Sequence, residues 1–379
     1  MARNNKNSKK KDKHSAKRKK RNSSKLSFFG IIMLILSIII SILLIFSLIA
    51  EFFLPSKVSG IAFIGIGFSY LFFSEIICFL YFLIKRKKIA IFLLIIILSL
   101  IPAFSRVFML NKENNKEDFN NTLTLVSYNV QNLSNNKLVQ SNDEYEKVIS
   151  FLNSCNSDII CLQETNFKGN NPELFFNDIQ QKTNSTHYCF TKYYPGTNSC
   201  IAIFTKHPIV NIASIRSNNK SFAIYCDMVF NNDTIRILTT HLQSLHLNLN
   251  EVYNITHTAE DAKLISKKIY GKTKYAFIKR EKQIKELVEL IKSTPYEIIL
   301  CGDFNDTPCS YSYRSINNVL NDSFKKVGRG FAYSFKTIPL LRIDYVFTTN
   351  NITPLDYKVR RDIKFSDHYP IITNFTIKN

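Results

Sequence analysis

The stretch Ile298-Ile299-Leu300-Cys301-Gly302-Asp303-Phe304-Asn305-Asp306 runs apolar as far as a glycine and then presents two acids and an amide. That is the pattern of a buried strand delivering polar side chains to a site at its C-terminal edge. Alternation with period two would project Asp303 and Asn305 to the same side. A carboxylate there can take a proton from water, while an uncharged carboxamide donates a hydrogen bond to a phosphate oxygen or to the nucleophile. An ordinary strand followed by an Asp-rich turn reads the same way in isolation, because Asn and Asp are common turn formers. The rest of the chain decides between the two.

Other strand-like runs also end in polar groups. Residues 122–130 are β-branched and apolar, lack Gly and Pro, and end near Asn129. Residues 157–164 form a buried-strand pattern ending at Glu164, and 234–242 carries His241. A late strand at 342–347 contains Asp344, and Asp367 and His368 lead into another at 370–377. Short strands are predicted at 187–193, 200–205 and 222–230, and helices at 143–154, 173–181 and 312–320. The longest helical region, 244–294, is predicted to break around Gly271. Helices early and late with adjacent strands between them predict two β-sheets packed face to face, with helices outside. The strand-end set is Asn129, Glu164, His241, Asp303, Asn305, Asp344, Asp367 and His368. Its oxygen ligands suit a hard cation such as Mg²⁺ beside a phosphate, and its imidazoles can donate to phosphate oxygens or protonate a leaving group. No Cys/His cluster has zinc spacing. His187, His207, His246 and His257 read as structural, and Arg280 and Gln283 as helix-packing groups.

In chain order these segments are SYNVQNL (127–133), CLQET (161–165), TTHLQS (239–244), CGDFND (301–306), RIDYVF (342–347) and SDHYP (366–370). Together they resemble the endonuclease/exonuclease/phosphatase superfamily, the deoxyribonuclease I-like group that includes apurinic/apyrimidinic endonucleases, neutral sphingomyelinases and inositol-polyphosphate 5-phosphatases. The likeness runs from about Leu123 to Thr376. It implies a four-layer α/β sandwich, two mixed sheets flanked by helices, and a Mg²⁺-dependent phosphoesterase, with Mn²⁺ as an alternative metal. By that resemblance Glu164 is the principal metal ligand, with Asn129 beside it and Asp367 completing the metal-side carboxylates. Asp303 would activate or orient the attacking water, and Asn305 would hold the scissile phosphate. His368 would bond a phosphate oxygen with Asp344 fixing its tautomer, and His241 falls where several members place a second imidazole. Two departures bear on substrate: Asn198-Ser199 stands where many members carry a glycine pair, and no acidic partner for His241 is evident. Members cleave nucleic acids, sphingomyelin-type lipids and phosphoinositides, and a fold does not decide among them. A nucleic-acid phosphodiester is preferred here, with a sphingomyelinase-like phospholipid phosphodiesterase or a phosphoinositide phosphatase as the alternative. A catalytically silent binding domain is the rival reading, and the filled acid and imidazole positions oppose it.

The formal charge of +21 sits mostly outside this region: residues 1–25 carry +11, 26–110 carry +4, and 111–379 only +6. Residues 1–25, rich in Lys, Asn and Ser, are expected to be disordered, and 111–121 to be a polar linker ahead of a catalytic domain at 122–379. Residues 26–110 hold three apolar runs, 28–50, 61–84 and 89–110, each long enough by composition to cross a bilayer. Three transmembrane helices are therefore expected before the sandwich, with the bilayer as a partner and no protein partner inferable. The basic tail and the Lys85–Lys88 loop would lie in the cytoplasm. An odd number of spans would then make this a multi-pass inner-membrane protein with its catalytic domain on the outer, periplasmic side. Arg106 would snorkel outward, Glu51 would sit at the outer interface, and Glu75, inside the second run, would be protonated or paired. Cys189 and Cys200 flank a hairpin-like segment and could pair in an oxidising compartment.

Overall fold

The computed structural model describes residues 26–111, 121–133, 142–167, 169, 171–245 and 259–377. The predicted basic tail, most of the predicted linker, and His246 and His257 lie outside the described residues. The chain forms two compact units, Met1–Ile45 with Leu71–Ser99, and Phe46–Tyr70 with Leu100–Asn379.

The apolar region folds as α1 (Phe28–Ala50), α2 (Ser59–Ile66), α3 (Phe68–Ile84), α4 (Ile89–Ser99) and α5 (Ile101–Phe104). Only α1, with 23 residues, is long and apolar enough to cross a bilayer by itself among the described residues. At 1.5 Å per residue it spans about 35 Å, against a hydrocarbon core of about 30 Å. The second predicted span is a pair, α2 and α3, bent by 62° at its break. The third is broken too: α4 has 11 residues, and Phe108–Leu110 forms a strand, β1, instead of continuing a helix. The structure thus corrects the expectation of three transmembrane helices to one, or two if the bent pair serves as a single span. The bilayer partnership through three spans goes with it. So does the multi-pass localisation with an outer catalytic domain, which was built on three spans. In the first unit, Ser37 and Ser41 of α1 donate to Glu75 Oε1 of α3 at 3.1 and 2.9 Å.

In the second unit a seven-stranded sheet is built from β2 (Thr122–Leu133), β3 (Ile159–Asn166), β4 (His187–Lys192), β5 (Ser199–Thr205), β13 (Ile352–Pro354), β14 (Lys358–Val359) and β15 (Ile371–Ile377). Its order is β13-β15-β2-β3-β5-β4, with β14 paired to β15. A six-stranded sheet contains β6 (Ile209–Ser217), β7 (Lys220–Phe230), β8 (Asp233–His241), β9 (Glu297–Asp303), β10 (Asn321–Asp322) and β12 (Asp344–Thr348). Its order is β10-β12-β9-β8-β7-β6. β1 pairs with β11 (Arg329–Phe331) as a separate ribbon. Both sheets are mixed: β2–β3 and β8–β9 are parallel, and the other pairs are antiparallel.

The continuous apolar runs follow from burial on both faces, as expected for central parallel strands. Leu125, Ile159, Cys161 and Ile203 of one sheet meet Ile224, Ile237, Ile299 and Cys301 of the other in the central core. Their alternates, Val126, Ile160 and Leu162, pack against α6 (Asn142–Ser154) and α7 (Pro172–Lys182) through Leu152, Phe176 and Ile179. Leu238, Leu300 and Phe347 do the same against Ile284, Leu287 and Ile316 of α8 (Ala259–Ser293) and α9 (Tyr311–Asn317). Helices on both outer faces of two packed sheets make the predicted four layers, without the three spans predicted before them.

Some local readings change. α8 runs unbroken through Gly271, at an exposed position where a Cβ would meet nothing within 4 Å. The glycine costs about 1 kcal/mol of helix propensity relative to Ala, which the packed second half of α8 offsets. The sheet-edge strand β6 went unread because its mixed, partly exposed side chains lack a clean alternation. Cys189 and Cys200 are both free and buried.

Candidate active site

The C-terminal ends of β2, β3, β8 and β9 and the chain entering β12 and β15 reach one rim of the sandwich. Strand register alone sets three of the residues side by side: His241 is the cross-strand partner of Asp303, and Asp303 of Asp344. Gly302 makes this possible. Its φ of +126° lies where only glycine rests easily, and a Cβ would sit 2.1 Å from the Thr240 carbonyl oxygen.

Asp303 is the centre of the rim. Its Oδ2 lies 3.0 Å from Asn129 Nδ2, 3.0 Å from Asn305 Nδ2, 3.5 Å from His241 Nε2 and 3.7 Å from His368 Nε2. Its Oδ1 accepts the Asn305 backbone N–H at 2.7 Å. Asn305 reaches it from a turn with φ of +51°, not from the predicted strand alternation. Glu164 likewise sits at positive φ, +58°, where the β3–β5 register shifts at a bulge. Bulges re-aim side chains, and strained backbone of this kind clusters at functional sites. Asn129 Nδ2 also donates to Glu164 Oε1 at 3.1 Å, so one amide bridges the two carboxylates.

His368 Nδ1 lies 2.8 Å from Asp344 Oδ2, and the Phe335 ring stands edge-on against the imidazole. Ser334 Oγ accepts the N–H groups of Ile343 and Asp344, which fixes where Asp344 starts its strand. Burial opposes charge on His368, but Asp344 and Asp303 outweigh it and push the imidazole up to about 10. Burial pushes the Asp303 carboxyl up to about 7; Asp344 and Glu164 add to the shift, and His368 and the Asn305 N–H oppose it. Burial also raises Glu164, with Asp367 adding and the Asn129 amide opposing. Asp367 stands at the edge, its own N–H donated to Gln131 Oε1 at 3.1 Å.

The structure therefore brings Asn129, Glu164, His241, Asp303, Asn305, Asp344 and His368 together by direct contact, and Asp367 to the margin. His187 and His207 stand apart, beside Thr186 and Asp158. Arg280 pairs with Asp306, and Gln283 accepts the Gln243 N–H.

Sequence reasoning missed Tyr193. Its hydroxyl accepts the Glu164 N–H at 3.1 Å and lies 2.6 Å from His241 Nδ1. With the hydroxyl as donor to Nδ1, the tautomer that puts the His241 proton on Nε2, facing Glu164 and Asp303, is the one favoured. This hydroxyl partners the imidazole for which the sequence offered no acid. No spacing marks it, since Tyr193 is one aromatic residue at the end of a strand-like run.

Asp303, Asp344 and His368 offer ligand atoms all within 4.8 Å of one another, and Glu164 and Asp367 add carboxylates alongside. Carboxylates raised by mutual repulsion and burial are a donor set that a hard divalent cation would stabilise, so the rim is a candidate divalent-metal centre.

Residues 126–368 match the Endonuclease/Exonuclease/phosphatase family, and residues 29–107 match a domain of unknown function (DUF8431). No curated protein matches the chain. Among solved structures it is similar to a humanized D. rerio TDP2 carrying 14 mutations, at 17% identity over 67% of this chain and 99% of that one, TM-score 0.47. It is similar to the human Nocturnin catalytic domain with bound sulfate, at 17% identity over 73% and 99%, TM-score 0.49. It is also similar to a mannosyl-6-phosphatase from Bacteroides thetaiotaomicron, at 18% identity over 67% and 100%, TM-score 0.47. With the family matched from residue 126 to His368, through five of the motifs and into the sixth, and a candidate metal centre at the rim, the chain belongs to the endonuclease/exonuclease/phosphatase family and is a hydrolase acting on phosphoesters.

Proposed function

We propose that this rim hydrolyses a phosphodiester in a nucleic-acid strand, with Mg²⁺ as the metal and Mn²⁺ able to replace it. The observation that carries this reading is the crowding of four nitrogens around Asp303 Oδ2, two amides donating to it and two imidazoles within 3.7 Å. That oxygen takes a proton from the attacking water, and its pKa of about 7 matches the task. Asn305 Nδ2, which donates to Asp303 Oδ2 and to the Leu242 carbonyl at 3.2 Å, would exchange one of these bonds to hold the scissile phosphate. The His368 imidazolium, oriented by Asp344, and the His241 Nε2–H face the charge that grows on the phosphoryl oxygens.

Within the rim, Glu164, Asn129 and Asp367 would hold the cation. His368 has Nδ1 engaged by Asp344 Oδ2 at 2.8 Å, so we read the Asp303–Asp344–His368 group as a proton-holding chain beside the cation. A bound divalent ion supplies Lewis-acid stabilisation of phosphoryl charge.

The preference for nucleic acid rests on Lys220, Lys279, Tyr194 and Tyr275. Lys220 Nζ lies 5.8 and 5.9 Å over the Tyr193 and Tyr194 rings and 3.3 Å from Gln243 Oε1. Lys279 Nζ lies 5.6 Å over Tyr275, and, after burial, its charge helps to lower the Lys220 amine. Tyr194 and Tyr275 are 44% and 57% exposed. Cations interleaved with exposed rings suit backbone phosphates and stacked bases. A phospholipid head group is the second reading, favoured by α1, whose exposed Ile35, Ile38, Ile39 and Ile42 suit a single-helix membrane anchor.

A panel of single-stranded oligonucleotide, sphingomyelin vesicles and phosphoinositide vesicles tests the choice. The oligonucleotide should be cleaved with the highest kcat/KM, and Lys220→Ala should lower that value about tenfold, in keeping with a phosphate contact. Cleavage of a lipid with no turnover of the oligonucleotide would select the second reading.

A further inference from the structure

The loop that follows Asp303 and Asn305 is fastened from two directions. From within, Asp306 Oδ2 accepts from Arg280 Nε at 3.2 Å and Ser312 Oγ at 2.7 Å, and Tyr345 donates to the Asp306 carbonyl at 2.8 Å. The next three residues are fastened by chain that precedes the matched catalytic segment. Thr307 Oγ1 donates to the Gly65 carbonyl at 3.2 Å, and Arg106 Nη1 donates to the Pro308 carbonyl at 2.8 Å. The backbones approach so closely at this point that a Cβ on Gly65 would sit 2.6 Å from the Cys309 carbonyl oxygen.

Arg106 does not snorkel outward as its sequence position suggested. It is ion-paired with Glu51, and the two side chains are only 19% and 7% exposed. Glu51 also lies 3.7 Å from Arg314, whose guanidinium stacks 3.9 Å over Phe52. Farther along the same segment, the Ser56 N–H donates to Glu281 Oε2 at 2.8 Å. The backbone of Arg106 faces the other catalytic strand: its carbonyl accepts from Arg342 Nη1 at 2.8 Å, two residues before Asp344. One residue thus holds the exit of β9 through its side chain and the entry of β12 through its carbonyl. Those are the strands on which Asp303 and Asp344 are cross-strand partners.

We infer that Arg106, with Glu51, Gly65 and Thr307, is a positioning unit that sets the Asp303–Asn305 loop against Asp344 and so tunes turnover. The inference rests on the catalytic reading of Asp303 and Asn305 given above. It assigns a task to part of the domain of unknown function, which includes Glu51, Gly65 and Arg106. The physical reason is tolerance: misplacing a reacting group by about 1 Å costs on the order of 100-fold in rate, and the four nitrogens around Asp303 Oδ2 leave little room for drift.

The test uses the full chain and hydrolysis of bis(p-nitrophenyl) phosphate, a diester too small to report on distant binding contacts. Glu51→Gln/Arg106→Met removes the bridge without leaving a buried charge. It should lower kcat about 100-fold while KM changes by less than about threefold, with the acidic limb of the pH–rate profile displaced. Thr307→Val should lower kcat about tenfold, and Thr307→Ser, which keeps the hydroxyl, should recover most of it. A double variant with native circular dichroism and kcat within about twofold of wild type would overturn the inference. If the double variant does not fold, equal kcat for Thr307→Val and Thr307→Ser would overturn it instead. Asp303→Asn is measured alongside: wild-type turnover there would mean the catalytic reading itself has failed, and the positioning role with it.

Discussion

Asp322 and Arg342 form the most fully buried ion pair described in the catalytic unit, both side chains 0% exposed, and Asp322→Asn is the perturbation that probes it. Arg342 Nη1 and Nη2 donate to the two Asp322 oxygens at 2.7 Å each. Tyr313 Oη and the Phe324 N–H complete the carboxylate's bonds at 2.8 and 3.0 Å. The guanidinium lies 4.5 Å from the Tyr345 ring centroid and 4.8 Å from that of Phe324, with no water-facing side. Asparagine keeps the cap on α10 (Ser323–Val327) but removes the charge, leaving a buried cation uncompensated. Breaking such a pair from one side costs about 3–5 kcal/mol, a large share of the roughly 5–15 kcal/mol that holds a typical domain folded. At roughly 2–4 °C per kcal/mol for a domain of this size, the melting temperature should fall by about 6–20 °C. The chain has no tryptophan, so far-ultraviolet circular dichroism in urea and on heating is the assay. Arg342→Met should cost a similar amount, and the double variant less than the sum, since an apolar replacement of the whole pair is often neutral. A loss under about 1 kcal/mol for Asp322→Asn, or strict additivity in the double variant, would refute the reasoning.

Three further outcomes follow from the site. Gly302→Ala should cost several kcal/mol, from a Cβ forced against Thr240 and a φ that alanine avoids; a stable, active variant would contradict the close approach of β9 to β8. Hydrolysis at subsaturating Mg²⁺ should rise as pH passes about 7, where Asp303 ionises, and fall through about 10, where His368 loses its proton. Raising the metal concentration should move the acidic limb lower, because a cation favours the ionised carboxylates; a flat profile from about pH 5 to 8 would contradict the assignment. EDTA should abolish turnover and added Mg²⁺ or Mn²⁺ restore it, and activity persisting in chelator would exclude the metal.

The sandwich was legible because Ile159-Ile160 and Ile298-Ile299-Leu300 bury alternate residues on opposite faces, so apolar continuity marks the central strands. Polar groups ending those strands pointed to one rim, and His241, Asp303 and Asp344 meet there by register. What stayed hidden is backbone that breaks the regular pattern. Glu164 and Asn305 reach the site through positive φ, which neither hydropathy nor alternation encodes. Tyr193 became a histidine partner only when β4 and β8 were brought together across the sheets. The membrane reading failed for a related reason. Hydropathy counts apolar residues but not bends, so a 62° break between α2 and α3 and a strand at Phe108–Leu110 look like uninterrupted spans.

The most direct measurement of the central claim is kcat/KM of the Asp303→Asn variant on a phosphodiester at saturating Mg²⁺, with circular dichroism to verify the fold. An amide cannot accept the proton from water, and loss of a general base is worth about 100- to 10,000-fold, so the account predicts a drop within that range in a folded protein. Turnover within about threefold of wild type would contradict it.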